Sequence, residues 1–147
     1  MSLERTCLGY VTAVDGGKVT EFEIAGGPQA PQSARTKLAE TFDDRLDGPV
    51  VNNMRLLVSE LVTNCVVHGG ADGAGGPIRV RAAVEDDCVR TEVCHDGPGF
   101  AAPSAVPDLD SPGGLGLFLV EQMSKAWGIE HSRETCVWFE LNLAQAA

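Results

Sequence analysis

The sequence predicts an α+β fold: a two-layer sandwich in which a mixed, mostly antiparallel sheet carries helices on one face. Segments with helical periodicity flank a pair of segments with period-two alternation, and a last alternating segment closes the chain. A chain of 147 residues, 44% of them hydrophobic, can bury about two thirds of its unfolded surface as one domain. We therefore expect residues 1–147 to form a single domain, with residues 1–17 as an N-terminal extension or hairpin.

The first elements follow from period and turn residues. Residues 18–24 alternate as a strand does, and Asp-Gly-Gly at 15–17 is a candidate hairpin turn after a weaker strand at 8–14. A helix is predicted over 32–46, with one apolar face formed by Ala34, Leu38 and Phe42.

A second helix is predicted from Pro49 to His68, where Gly69 and Gly70 end it. Its apolar residues step by three and four positions, as a buried stripe does: Val51, Met54, Val58, Leu61 and Cys65.

Alternation in the second half predicts two strands over 78–84 and 88–95, joined by the turn Glu85-Asp86-Asp87. A third helix is predicted over 115–127 and a final strand over 136–143. Leu115, Phe118, Leu119 and Met123 are the expected core residues of that helix.

The charge balance excludes several classes of partner. Eleven Lys and Arg residues against 21 Asp and Glu residues give a net charge of −10, and no Lys or Arg lies between Arg90 and Lys125. A duplex binder needs a basic patch, so we expect no direct nucleic-acid contact. No window approaches the roughly 18 apolar residues of a membrane span, so we expect no membrane association either.

Cysteine usage favours a reducing compartment, and we expect a cytoplasmic protein. The five cysteines are an odd number and form no Cys-x-x-Cys motif. The pattern indicates neither a zinc ribbon nor a closed disulfide set.

Three polar clusters are candidates for chemistry. On the second helix, Glu60, Asn64 and His68 are spaced by four and share one side. They are consistent with a solvated face, or with a site where carboxylate and amide oxygens hold a hard cation such as Mg²⁺. For His68 the alternative is an interaction with the C-terminus of its own helix.

The other two clusters are rich in glycine. Asp96-Gly97-Pro98-Gly99-Phe100 follows a predicted strand and is either a plain turn or a carboxylate that accepts a hydrogen bond from an exocyclic amine. Gly113-Gly114-Leu115-Gly116 opens the third helix and is either a packing loop or an anion site formed by free amides. The Walker and Rossmann patterns are not matched.

Taken in order, these clusters resemble the N, G1 and G2 boxes of the GHKL ATPases, which have the Bergerat, or histidine-kinase-like, fold. The resemblance runs from about Phe22 to Leu143 and is strongest to the bacterial anti-sigma factor serine-protein kinases. It implies ATP and Mg²⁺ as cofactors, and a sigma factor and a STAS-domain anti-sigma factor antagonist as partners.

The resemblance also implies roles for individual residues. Asn64 would coordinate Mg²⁺, Glu60 would act as general base, and Asp96 would receive the adenine amino group. Gly97 and Gly99 would shape the adenine pocket. The remaining nucleotide-binding positions are His68, Gly114, Leu115, Gly116, Leu117 and Thr135.

Two departures from the family pattern affect these implications. Glu134-Thr135 stands where the family usually has Gly-Thr, so Thr135 would assist adenine beside an unexpected carboxylate. The stretch corresponding to the nucleotide lid, 97–113, has no Lys or Arg and contains Asp108 and Asp110. Because cations stabilise a phosphoryl-transfer transition state, this lid predicts slow catalysis more than weak binding.

The leading hypothesis is an Mg-ATP-dependent protein-serine kinase that sequesters a sigma factor and phosphorylates its antagonist. The alternative is a noncatalytic module whose nucleotide orders a partner-binding surface, and a domain of a larger regulator is a weaker third. Relatives often form homodimers through their sheets. The side of the strands expected to be exposed is mixed in charge and indicates no interface: Arg79, Arg81, Arg90 and Glu92.

Overall fold

The structure is a computed structural model that describes residues 19–67, 77–85, 87–96, 116–131 and 134–143. Eight elements occur in these ranges. In chain order they are β1 (Val19–Ile24), α1 (Ala30–Phe42), α2 (Gly48–Val67), β2 (Ile78–Val84), β3 (Cys88–His95), α3 (Gly116–Met123), β4 (Ala126–His131) and β5 (Thr135–Asn142).

The described strands form one five-stranded sheet in the order β1-β2-β3-β5-β4. Each neighbouring pair is antiparallel. The predicted α+β fold and the β2–β3 hairpin are thus confirmed. The predicted strand at 8–14 and the turn at 15–17 lie outside the described residues.

One side of the sheet and the apolar stripe of α2 form a common core. Val80, Val93 and Phe139 belong to the same buried cluster as the stripe predicted for α2. The hydrophobic effect of this shared burial fixes which side of each strand faces the helices, because successive side chains of a strand alternate between faces. Among the described residues, no helix is long and apolar enough to cross a membrane.

The third predicted helix, 115–127, is wrong in its last four residues. α3 ends at Met123, and the residues that follow form β4, which the sequence did not predict. Trp127 continues the i, i+4 spacing from Met123, so a helical pattern and a strand pattern overlap here. The ladder to β5 decides in favour of the strand, beginning where the Lys125 amide donates to the Glu140 carbonyl at 2.9 Å.

The other side of the sheet is less exposed than expected. Arg90 and Glu140 are 8% and 0% exposed. The Arg90 guanidinium lies 4.0 Å from the centroid of the Trp138 ring and 3.8 Å from the Glu140 carboxylate. Cation–π contact and ion pairing with Glu140 stabilise a charge that burial would otherwise destabilise.

The expectation of no closed disulfide is also wrong. Cys94 and Cys136 are direct partners in the register of β3 and β5 and are joined by a disulfide. Cys88 is disulfide-bonded as well, and Cys65 is free and buried. Spacing along the chain does not show which strands become neighbours, so this pairing could not be read from the sequence.

Candidate functional site

Glu60 and Asn64 lie one turn apart on the same side of α2. Asn64 is buried, with 6% of its surface exposed, and Glu60 is half-buried. The neighbouring hydroxyls bond within the helix: Ser59 donates to the Leu56 carbonyl at 3.0 Å, and Thr63 donates to the Ser59 carbonyl at 2.8 Å. A fully solvated face therefore does not describe this helix side.

Burial changes the acid–base behaviour of Glu60. Desolvation raises the pKa of its carboxyl group, and the positive charge of Arg35 partly opposes that change. A carboxylate with a raised pKa is a stronger proton acceptor at neutral pH. The pair also supplies the oxygen ligands that Mg²⁺ prefers, a carboxylate and an amide, so the donor set fits a hard cation.

Asp96 and Thr135 are brought to the same end of neighbouring strands. Asp96 is exposed and follows the last residue of β3, His95, which pairs with Thr135 at the start of β5. Thr135 is 6% exposed, and its hydroxyl lies 3.4 Å from Nδ1 of His131. A carboxylate and a hydroxyl at one sheet end suit recognition of a heterocyclic base.

His95 is a further candidate residue of the site, and the sequence alone did not identify it. Its side chain is 1% exposed, and burial lowers the pKa of its imidazole, opposed by the charges of Asp96 and Glu134. The only available signal was the alternation of β3, which places His95 on the same side as Val93. The structure thus adds a buried imidazole between Asp96 and Thr135.

Glu134 interacts with Arg79, and this contact explains why a glutamate stands at position 134. The Arg79 guanidinium donates two hydrogen bonds to its carboxylate, one of them 2.7 Å long, and also pairs with Glu21 at 2.9 Å. The hydrogen bonds to Glu134 raise the pKa of Arg79. Glu134 therefore ties the start of β5 to β2, and Thr135 can still face the helices.

Helix α3 begins at Gly116, the third glycine of the predicted anion site. Leu117 and Val120 are its buried residues, whereas Leu119 and Met123 are partly buried against the core. Phe118 is half-buried, so the predicted core face is only partly right. The first amides of a helix lack intrahelical partners, which leaves the backbone near Gly116 able to bind an anion.

The elements that carry these residues are neighbours. α2 packs against α3, β3 and β5. The remaining predicted site residues lie outside the described part of the chain: His68, Gly97, Gly99, Gly114 and Leu115.

Residues 28–141 match the family model of the histidine kinase-like ATPase domain. This match covers most of the chain, which therefore belongs to that family.

Several curated proteins are similar to the chain. The serine-protein kinase RsbW of Bacillus velezensis is 30% identical over 99 residues, which are 60% of this chain and 58% of that protein. The anti-sigma F factor of Lysinibacillus sphaericus is 36% identical over 50 residues, or 34% of each chain. The chain thus matches little more than half the length of the RsbW protein.

A solved structure has the same fold. The RsbU and RsbW domains of a Mycobacterium tuberculosis protein align with a TM-score of 0.64 and 23% identity, over 87% of this chain and 34% of that one. At this identity the likeness concerns the fold alone.

Proposed function

We propose that this chain is a regulatory Mg-ATP-binding protein that sequesters a sigma factor and phosphorylates a serine of a STAS-type antagonist. The observation that carries the proposal is the buried Asn64 one turn from a half-buried Glu60 with a raised pKa, on a helix of a histidine kinase-like ATPase domain. Similarity to RsbW serine-protein kinases and to an anti-sigma F factor supports the choice of substrate and partner. Both partners work where transcription occurs, so we place the protein in the cytoplasm.

In this proposal different residues bind the adenine and the phosphates of ATP. The Asp96 carboxylate accepts a hydrogen bond from the adenine amine, and the Thr135 hydroxyl lies at the same sheet end. The amides at the start of α3 face the phosphates, where the positive end of the helix dipole favours negative charge.

Proton transfer at Glu60 is the chemical step that the chain itself performs. A Glu60 carboxylate oxygen accepts the proton of the seryl hydroxyl while the seryl oxygen bonds to the γ-phosphorus. The bond from phosphorus to the β–γ bridging oxygen breaks, which gives phosphoserine and ADP. The Asn64 amide oxygen would hold Mg²⁺, which would supply charge neutralisation of the phosphates.

A noncatalytic module is favoured instead by one specific observation. The segment 97–113 contains no Lys or Arg and carries Asp108 and Asp110. Without a lid cation, transfer depends on the metal, the helix amides and any basic residue that a partner provides. In that case the nucleotide would order a partner-binding surface and transfer nothing.

Incubation with γ-labelled ATP and purified STAS-domain proteins tests the kinase proposal. The wild-type protein should label a serine of one STAS protein, and Glu60→Gln should lower the rate by about 10²- to 10⁴-fold. Glu85→Gln is the matched control, because Glu85 is exposed in the turn between β2 and β3, and it should label at the wild-type rate. A nucleotide-dependent complex without label would support the binding module, whereas normal labelling by Glu60→Gln would remove Glu60 from the role of base.

A further inference from the structure

The disulfide between Cys94 and Cys136 lies one register step from the proposed adenine end of the site. The two residues are direct cross-strand partners with Cα atoms 4.1 Å apart. The next pair toward the sheet end is His95 with Thr135, and Asp96 follows. The crosslink therefore joins the two strands whose ends carry Asp96 and Thr135.

The same bond encloses most of the proposed nucleotide site. It spans a sequence separation of 42 residues. Asp96, α3, β4 and Thr135 all lie in the closed segment, whereas Glu60, Asn64 and the predicted position His68 lie on the chain before it. Such a bond constrains both ends of the segment at once.

The surroundings of the pair make one sulfur the point of attack. Cys94 is 2% exposed, whereas Cys136 is half-buried and so the more accessible of the two. A carboxylate oxygen of Glu134 and the Sγ atoms of Cys94 and Cys136 all lie within 4.8 Å of one another. Arg79 of β2 donates a hydrogen bond to the same carboxylate. Cys65, by contrast, is buried, and burial raises the pKa of its thiol, so it is a poor participant in exchange.

We propose that Cys94 and Cys136 form a reversible dithiol/disulfide pair that sets nucleotide affinity, with the disulfide form binding more tightly. This inference rests on the proposed nucleotide-binding function. It also agrees with the proposed cytoplasmic location, where disulfides are usually transient and regulatory.

The reductant in this step is a dithiol. One of its thiolates attacks Sγ of Cys136, the bond between the two cysteine sulfurs breaks, and Cys94 leaves with the electron pair and takes up a proton. The second thiol of the reductant then attacks the mixed disulfide, which releases Cys136 as a thiol and leaves the reductant as a disulfide. Two electrons pass from the reductant to the cysteine pair.

The affinity for Mg-ATP depends on how firmly Asp96 and Thr135 are held at their end of the sheet. With the disulfide closed, Asp96 and Thr135 are held at a fixed separation before nucleotide arrives. With the disulfide open, binding must also order this end, and that cost weakens affinity. Linkage requires the converse: bound nucleotide makes the disulfide harder to reduce by the same factor.

Calorimetry of Mg-ATP binding to the full chain, before and after treatment with dithiothreitol, tests the proposal. Reduction should weaken binding by roughly three- to tenfold, a coupling of ordinary size for two linked sites. The double variant Cys94→Ser/Cys136→Ser should bind as the reduced protein does and ignore the reductant. Cys65→Ser and Cys88→Ser are matched controls that should keep the full response, the second because Cys88 is in another disulfide.

Four outcomes would overturn the switch. Alkylation and peptide mapping could show Cys94 and Cys136 as free thiols after mild oxidation, or affinity could be equal in both redox states. The change in Mg-ATP affinity on reduction could disappear in Cys88→Ser. Alternatively, the reduced protein could bind one Zn²⁺ that the double variant does not bind, which would make Cys94, Glu134 and Cys136 a metal centre. If the double variant does not fold, the single variant Cys136→Ser takes its place. Equal binding in both states contradicts the switch alone, whereas no ATP binding in either state contradicts the proposed function as well.

Discussion

Glu60 is the residue at which stability and the proposed function conflict. Burial raises the pKa of its carboxyl group, so the folded protein holds this proton to higher pH than the unfolded chain does. Ionisation therefore costs folding free energy, and the cost grows as pH rises through the ordinary value of 4.5 toward the raised value. Above that window the cost is constant.

Glu60→Gln should consequently be slightly more stable than the wild type at pH 7 and about equally stable near pH 4. Solvent screening keeps the gain small, on the order of 1–3 °C in Tm. Thermal unfolding of both proteins across this pH range measures the difference. Glu85→Gln should show no such pH-dependent gain, and a Tm difference for Glu60→Gln that is larger at pH 4 than at pH 7 would contradict the burial of Glu60.

A separate prediction concerns Asp96 and its recognition of adenine. Asp96→Asn replaces an acceptor with an amide that can present a donor to the adenine amine, so Mg-ATP affinity should fall by about 1–3 kcal/mol, or roughly 5- to 150-fold. Asp87→Asn is the matched control, because Asp87 is exposed beside the opposite end of β3. Calorimetry decides the point, and unchanged affinity in Asp96→Asn would remove this residue from the site.

At this scale, the sequence predicts residues whose signal is local. The i, i+4 spacing of Glu60 and Asn64 on an apolar helix is visible in one dimension, and the structure places both on one side of α2. His95 was missed, and so was the contact of Glu134 with Arg79, because each depends on strands that come together only in the folded sheet.

At the scale of elements, the strand that the sequence missed provides a stability test. Gly128 of β4 pairs with Trp138 of β5, and a Cβ added at Gly128 would lie 2.7 Å from Nε1 of the indole. Gly128→Ala must therefore displace the indole, which also stacks on Arg90. We expect a loss of about 1–3 kcal/mol in the free energy of unfolding.

Urea unfolding followed by circular dichroism measures this loss. Gly48→Ala is the control, since an added Cβ at the start of α2 would meet nothing within 4 Å. It should be neutral or stabilise by up to about 1 kcal/mol. Equal effects of the two substitutions would argue against the pairing of β4 with β5.

The accuracy of the predicted elements follows from how each one is bounded. The two hairpin strands have the bounds that the sequence predicts. In the first of them apolar and polar residues largely alternate, and the acidic sequence at 85–87 separates it from the second. The boundary between α3 and β4 was not predicted, since apolar residues there satisfy both periods. α1 begins two residues before its predicted start and ends at Phe42, four residues early.

At the scale of the whole molecule, the class of fold was predictable and the strand order was not. Alternating segments and helical stripes predict an α+β sandwich, which the five-stranded antiparallel sheet confirms. Insertion of β5 between β3 and β4 depends on a strand absent from the sequence-based prediction. That insertion also brings Cys94 and Cys136 together, which explains why the expectation of no closed disulfide failed.

Calorimetric titration of the wild-type chain with Mg-ATP and with Mg-GTP tests the central claim most directly. We expect one ATP per chain, loss of tight binding when EDTA removes Mg²⁺, and much weaker binding of GTP, whose base has a carbonyl where adenine has an amine. Asn64→Ala should abolish the dependence on Mg²⁺. Absence of binding, or equal affinity for the two nucleotides, would contradict the account of this domain as an adenine-specific nucleotide site.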